Sequence, residues 1–153
     1  MTLNPIGVLV LLSASAFAQA PNDAPPPTVQ RLCGKLEYTH DIPVKGDSKS
    51  IVTKEQDVRH AAVSLYPAVE NGQCCEGVAA ASTTMTGHWG SFQLKSKQLP
   101  GGLYWLQVEW NSRKYQMIIQ YEPKKYSDQL CSQTVWEVND AGDLRKVIFI
   151  TVD

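Results

Sequence analysis

The sequence lacks an excess of charge of either sign, since its 153 residues carry 14 Lys and Arg against 15 Asp and Glu, a formal net charge of -1. This balance excludes a strongly basic nucleic-acid-binding protein and a highly charged disordered chain. We therefore expect no nucleic-acid partner. Ten Gly, nine Pro and a charged fraction of 19% are typical of one turn-rich domain of ordinary size.

An apolar run long enough to cross a membrane is also missing near the N-terminus. The run from Ile6 to Leu12 is shorter than the roughly 20 apolar residues that a bilayer requires. It lies in an uncharged stretch and is followed by Ala16-Phe17-Ala18, which predicts a secretory signal peptide over residues 1–18, with Ala20 as the alternative cleavage point. We expect a protein secreted to the periplasm or the extracellular space, without a membrane span.

Residues 19–30 contain Pro21, Pro25, Pro26 and Pro27 and show no apolar periodicity. Proline-rich segments of this kind favour an extended, solvated conformation over packed structure. The sequence therefore predicts a Pro-rich leader over residues 19–30 and a folded domain over residues 31–153, beginning near Arg31.

Paired C-x-x-C spacing, the usual sign of a cysteine metal site, is absent from the sequence. The three histidines, His40, His60 and His88, lie at no recognisable interval from the cysteines. We therefore expect no metal ion and no other cofactor.

Four cysteines in an exported chain predict two structural disulfides. They are Cys33, Cys74, Cys75 and Cys131. A bond between the neighbours Cys74 and Cys75 would close a strained local ring, so we expect each of them to pair with a distant partner, one with Cys33 and the other with Cys131. The sequence leaves open which pairs with which.

Helical periodicity is lacking beyond Arg31, where apolar residues recur with a period of two. The clearest strand has Tyr104, Leu106, Val108 and Trp110 on the inward face, with Trp105 pointing outward. Short alternating segments separated by turns predict an all-β fold, a two-layer antiparallel β-sandwich of about seven or eight strands.

Turn chemistry and polarity predict the form of two connections. Asn71-Gly72 predicts a tight hairpin turn after which the chain folds back beside the preceding strand. The polar span from His40 to His60 predicts a long surface loop.

Four segments in a fixed order carry a family resemblance: Gly34-Lys35-Leu36, Ala62-Val63-Ser64-Leu65, Thr84-Met85-Thr86 with Gly90-Ser91-Phe92-Gln93-Leu94, and Leu99-Pro100-Gly101-Gly102-Leu103-Tyr104. Together they resemble the carboxypeptidase regulatory-like family, whose domains share the transthyretin-like (prealbumin-like) sandwich. The resemblance covers roughly residues 33–121. It implies a domain that accompanies peptidases, receptors or adhesins and stabilises or binds without catalysis.

The matching motifs also have a physical sense. Gly90 permits a turn before Phe92 enters the core, and Tyr104 can bury its ring while its hydroxyl bonds to the backbone. In one departure, Trp89 replaces the polar residue that commonly precedes the G-x-F segment of the family.

Enzymes with related folds provide motifs to look for, and these are missing. The C-terminal Tyr-Arg-Gly-Ser motif of hydroxyisourate hydrolases does not occur, and no closely spaced His pair lies near a Tyr as in intradiol dioxygenases. We therefore expect no enzymatic activity. The alternative is a small hydrolase or metal-dependent enzyme that uses His40, His60 and His88 in an unfamiliar arrangement.

The candidate binding residues are Trp89, Trp105 and Ile118. Trp105 and Ile118 have outward parity on consecutive strands, and Trp89 lies in a turn. Exposed Trp residues favour interfaces with proteins and stack on sugar faces, so we expect a protein or glycan partner. The alternative is that the long loop or the Pro-rich leader covers Trp105.

Overall fold

A computed structural model describes residues 25–69 and 72–147. The predicted signal peptide lies outside the described residues. Ten strands and one 3-10 turn, Cys131–Gln133, are present in the described parts of the chain. The strands are β1 Thr28–Val29, β2 Cys33–Val44, β3 Asp47–Asp57, β4 Ala62–Pro67, β5 Ser82–Met85, β6 Ser91–Gln93, β7 Gly102–Trp110, β8 Arg113–Tyr121, β9 Val135–Asn139 and β10 Leu144–Val147.

The strands form two five-stranded sheets. The first sheet has the order β1-β8-β7-β4-β5, and the second has the order β10-β9-β2-β3 with β6 paired to β2. The all-β, two-layer prediction is confirmed, whereas the predicted number of strands was too small. The prediction of a wholly antiparallel sandwich was wrong for two pairs, because β1 pairs with β8 and β2 pairs with β9 in parallel.

The core lies between the two sheets and takes side chains from both. On β7 the predicted inward residues Tyr104, Leu106 and Val108 are buried, and the fourth, Trp110, is half-buried against the core. On the second sheet Leu36 and Trp136 are buried. Each large apolar side chain removed from water contributes about 1.5–3 kcal/mol to folding. The period of two therefore identified the inner face of β7 correctly.

The described part of the chain includes no helix of the length and hydrophobicity that crossing a membrane requires.

The folded region begins earlier than the predicted boundary at Arg31. Val29 is 0% exposed and lies in the core, and the strand that contains it pairs with the end of β8. The backbone N–H of Gln120 donates a hydrogen bond to the carbonyl of Pro27 at 2.9 Å. A single apolar residue among prolines has no periodicity, so the sequence pattern did not reveal this strand.

The polar span that was predicted to be a loop forms strands instead. β2 and β3 pair in register from Glu37 opposite Asp57 to Pro43 opposite Ile51, as a long hairpin. Its outer half, from Asp41 to Gln56, is largely exposed. Because neither face of this half is buried, its sequence shows no apolar alternation, and the loop prediction was wrong for that reason.

The predicted tight hairpin turn is also replaced by a longer connection. Asn71 lies outside the described residues, but β4 ends at Pro67 and β5 begins only at Ser82. The two strands are antiparallel neighbours, as expected, with Ala62 opposite Met85.

The disulfide pairing differs from the prediction. Cys33 is bonded to Cys131, with their Cα atoms 5.4 Å apart, and Cys74 is bonded to Cys75. The parallel pairing of β2 with β9 brings the starts of both strands together and thereby places Cys33 beside Cys131. Cys74 and Cys75 lie on the β4–β5 connection of the other sheet, where they pair with each other.

Removing the disulfide between Cys33 and Cys131 should destabilise the protein, whereas removing the disulfide between the neighbours Cys74 and Cys75 should not. Cys33 and Cys131 are separated by 98 residues, and closing a loop of this size contributes about 2–4 kcal/mol in most proteins. We expect the Cys33→Ser/Cys131→Ser variant to lose about that amount in urea unfolding. The matched Cys74→Ser/Cys75→Ser variant, which opens no long loop, should stay within about 1 kcal/mol of the wild type. Equal losses in the two variants would contradict this account.

Gly90 closes the turn before β6 at a point where the backbone is closely packed. Its φ is +79°, and its carbonyl accepts a hydrogen bond from the Leu36 N–H at 2.8 Å. A Cβ at this position would lie 2.6 Å from the Leu36 carbonyl oxygen. The residue is thus restricted to glycine both by its left-handed conformation and by the lack of space.

Gly90→Ala should therefore destabilise the fold by about 2–4 kcal/mol, the sum of a left-handed conformation and a backbone clash. Gly46→Ala is the matched control, because Gly46 has a φ of +87° but nothing within 4 Å of the added Cβ. The control should lose only about 1 kcal/mol. Thermal unfolding of both variants measures the difference, and similar losses would show that the contact with Leu36 is relieved by local movement.

Candidate functional site

Three large side chains line up across the outer face of the first sheet. Trp105 on β7 lies directly opposite Tyr66 on β4 and Ile118 on β8. We call Tyr66, Trp105 and Ile118 the aromatic row. All three are half-buried, while their neighbours along the strands, such as Leu65 and Leu106, are buried in the core. The row is therefore a partly exposed apolar surface on a rigid sheet.

A row of polar side chains lies next to the aromatic row, two residues further along β7. Gln116 Nε2 donates a hydrogen bond to Gln107 Oε1 at 2.8 Å, and the hydroxyls of Ser64 and Thr83 are 3.0 Å apart. Gln107 is only 4% exposed although it points away from the core. Its Oε1 lies 3.9 Å from the Cys74 sulfur, so the β4–β5 connection covers the sheet at this point.

The end of this outer face near the start of β7 is not covered in this way. Leu103 is 48% exposed and Val69 is 54% exposed, and the N–H of the intervening Ala68 donates to the Leu103 carbonyl at 3.1 Å. These two residues extend the apolar surface of the aromatic row toward the start of β7. The centre of the polar row, Ser64 and Gln107, is therefore buried, whereas its ends, Thr83 and Gln116, are exposed. The apolar part of the outer face is partly exposed.

The structure brings two of the three predicted binding residues together. Trp105 and Ile118 are directly opposite on paired strands. Trp89 is 66% exposed but lies in the β5–β6 turn, next to Gly90, whose carbonyl bonds to Leu36 of the second sheet. Trp89 is therefore not part of the aromatic row.

Tyr66 is the member of the row that was missed by sequence reasoning. The inward pair Val63 and Leu65 already implied that Tyr66 points outward. Its position opposite Trp105 follows only from the pairing of β4 with β7, which residue alternation does not specify.

The three histidines lie in three different elements. His40 is on β2 and stacks on the ring of Tyr38 at 4.9 Å, His60 lies before β4, and His88 contacts Trp89 in the β5–β6 turn. Among the described residues, no group of three His, Cys, Asp or Glu side chains could hold a metal ion.

A polar groove beside His40 contains several titratable side chains. His40 Nδ1 is buried without a hydrogen-bond partner among the described residues, and Asp41, Asp140 and Arg145 also line the groove. Asp140 accepts a hydrogen bond from the Tyr38 hydroxyl, which raises the pKa of Tyr38. That carboxylate therefore fixes the β9–β10 turn to β2. Two threonines, Thr39 and Thr53, also line the groove, and the Thr53 hydroxyl donates a hydrogen bond to Asp41 at 2.8 Å.

The outer face of the second sheet is dominated by charge. Glu37 on β2 lies directly between Asp57 on β3 and Glu137 on β9. Lys35 Nζ is 2.9 Å from Asp57, and Arg145 Nε is 3.4 Å from Glu137. Burial raises the pKa of Glu37; Lys35 opposes this shift, and the neighbouring carboxylates add to it.

Glu37→Gln should stabilise the protein at neutral pH. The folded state binds the Glu37 proton more tightly than the unfolded chain does, so the wild type loses stability as pH rises from about 4.3 through the raised pKa. We expect the variant to be more stable by about 0.5–1 kcal/mol at pH 7 and equal to the wild type below about pH 4.

Urea unfolding between pH 4 and 7.5 measures this difference. Glu76→Gln is the matched control, because Glu76 is exposed on the β4–β5 connection, where a surface substitution should change stability by less than about 0.5 kcal/mol. A less stable Glu37→Gln variant at pH 7 would mean that attraction to Lys35 outweighs burial and repulsion.

No protein-family model matches the chain, and no curated protein and no solved structure shows significant similarity to it. Function is therefore inferred from the geometry of the side chains and from the motif resemblance.

Proposed function

We propose that this protein is a secreted, non-catalytic binding or accessory module that recognises a protein or a glycan through the aromatic row. The observation that carries the proposal is the register of Tyr66, Trp105 and Ile118 across three paired strands. The three side chains lie side by side on the outer face, and each is partly exposed.

The side chains of the aromatic row are of the kind that recognise a protein or glycan partner. A Trp and a Tyr bury much apolar surface at little cost in side-chain entropy and either pack against a protein or stack on a sugar ring. Because the three side chains stand on hydrogen-bonded strands, their spacing is fixed before a partner binds, which lowers the entropic cost of association. The neighbouring amide of Gln116 offers a polar rim to the same surface.

The proposed architecture is transthyretin-like, of the carboxypeptidase regulatory-like type. Three of the motif positions have the roles that the resemblance implies. Gly90 takes a left-handed conformation, Phe92 is buried, and the Tyr104 hydroxyl donates to the Pro100 carbonyl at 2.6 Å. The two-sheet arrangement supports the same assignment.

Secretion is proposed from the signal-peptide pattern together with the disulfides. The bond between Cys33 and Cys131 joins distant parts of the chain, and bonds of this kind persist in oxidising compartments such as the periplasm and the extracellular space.

Truncation of the row should weaken partner binding with little effect on folding. For Trp105→Ala and Ile118→Ala we expect at least about fivefold weaker binding, because the few interface residues whose truncation costs more than about 1 kcal/mol cluster at the well-packed centre of an interface and are enriched in Trp. Binding is measured on a glycan array and by capture of proteins from the native culture medium. Thermal unfolding reports the integrity of the sandwich.

Ile51→Ala is the matched control, since Ile51 is 62% exposed on β3 of the other sheet. The Trp89→Ala variant is measured in the same binding assays and decides whether Trp89 contacts the same partner. If Trp105→Ala lowers the melting temperature strongly, Trp105 is a core residue. If it leaves binding unchanged, the aromatic row is not the recognition surface.

A further inference from the structure

A groove of about 370 Å³ lies at the end of the sandwich where three connections meet. The β1–β2 connection contributes Arg31, the β6–β7 loop contributes Lys97, and the β8–β9 loop contributes Lys124. We call this feature the basic groove. It is distinct from the aromatic row, and the inference drawn from it does not depend on the proposed function.

The charge of the basic groove is of one sign. All three charged side chains that line it are cationic, and no Asp or Glu is found among its described lining residues. None of the three forms an ion pair with another described residue. In the β6–β7 loop the sequence shows the same bias, because no Asp or Glu occurs between Gly77 and Val108. The β8–β9 loop also contains Glu122 and Asp128, which are not among the residues that line the groove.

The groove is held in shape by bonds between segments that are far apart in sequence. Gln129 Oε1 accepts hydrogen bonds from the N–H groups of Gln30 and Arg31 at 2.9 and 3.0 Å, and Gln129 Nε2 donates to the Arg31 carbonyl at 2.9 Å. The disulfide between Cys33 and Cys131 joins the same two connections. The backbone that carries Arg31 is therefore fixed against the β8–β9 loop.

The third connection is fixed in a similar way. The Leu94 N–H donates to the Leu32 carbonyl at 2.8 Å, which ties the start of the β6–β7 loop to the β1–β2 connection. Leu94 and Tyr121 are buried and form the floor. Unpaired cations on such a fixed frame repel one another, and a bound anion removes that repulsion.

We propose that the basic groove binds an anionic polysaccharide, through sulfate or carboxylate groups on its sugars. An Arg guanidinium bonds such oxyanions with two parallel hydrogen bonds, and Lys adds point charges. The rim also carries groups that suit sugars. Gln93 and Ser96 offer an amide and a hydroxyl.

Heparin, a sulfated polysaccharide, is the probe. The wild-type protein should be retained on a heparin column and elute at a salt concentration that screens surface charge. The Arg31→Gln/Lys97→Gln/Lys124→Gln variant should bind a heparin oligosaccharide about tenfold more weakly in calorimetry, since each exposed charge contact is worth a factor of about 1.4–5. Its melting temperature should stay close to that of the wild type, because the three side chains make no ion pair with a described residue.

Lys45→Gln/Lys49→Gln/Lys54→Gln is the matched control, with the same change in net charge on the exposed β2–β3 hairpin. It should bind heparin within about twofold of the wild type. Gln129→Ala tests the hydrogen bonds that hold the backbone at Arg31. It leaves every charge in place and should still weaken heparin binding, because Arg31 is no longer fixed in position.

Four outcomes would overturn the proposal. The wild type could fail to bind heparin, or both triple variants could weaken binding equally, which would indicate a response to net charge alone. A poly-glutamate peptide could bind as tightly as heparin, which would assign the groove to acidic proteins. Inorganic sulfate could bind as tightly as heparin, which would indicate a site for a single small anion.

Discussion

The parallel pairing of β2 with β9 is the contact on which the rest of the structure depends. It joins Leu36 and Trp136, two of the largest buried side chains, in direct register. The indole N–H of Trp136 donates to the Cys33 carbonyl at 3.1 Å, and a Cβ on Gly34 would lie 2.8 Å from the same indole nitrogen. Glycine at this position is therefore what allows the two strands to come together around the tryptophan.

This contact also organises the end of the molecule that contains the basic groove. With β2 and β9 side by side, Cys33 reaches Cys131, and the β8–β9 loop lies against the β1–β2 connection, where Gln129 bonds to Arg31. A strand pair between distant parts of the chain has a high entropic cost of closure, which the disulfide reduces. The position of the cationic side chains thus follows from the fold of the second sheet.

The two outer faces of the sandwich have different chemistry. The first sheet presents the aromatic row beside a hydrogen-bonded polar row, while the second presents Glu37 between two further carboxylates. Both rows on the first face are uncharged, whereas the second face carries carboxylates that are partly paired with Lys35 and Arg145. The basic groove at the end of the sandwich has the opposite charge and so suits an anionic ligand.

The sequence by itself determined the all-β class, the inward faces of β7 and β8, and the outward parity of Trp105 and Ile118, because alternation along a strand is a local property. It also determined the roles of Gly90 and Tyr104, which depend on local turns and short contacts. Only the tertiary structure decided which strands are neighbours, and hence the place of Tyr66 in the row, the partner of Cys33 and the separation of Trp89 from Trp105. Residue alternation also missed the β2–β3 hairpin and the strand at Val29. These segments form strands by pairing with their neighbours, and their sequences show no apolar alternation. Strand pairing joins residues that are distant in sequence, and residue alternation contains no information about which distant segment will be the partner.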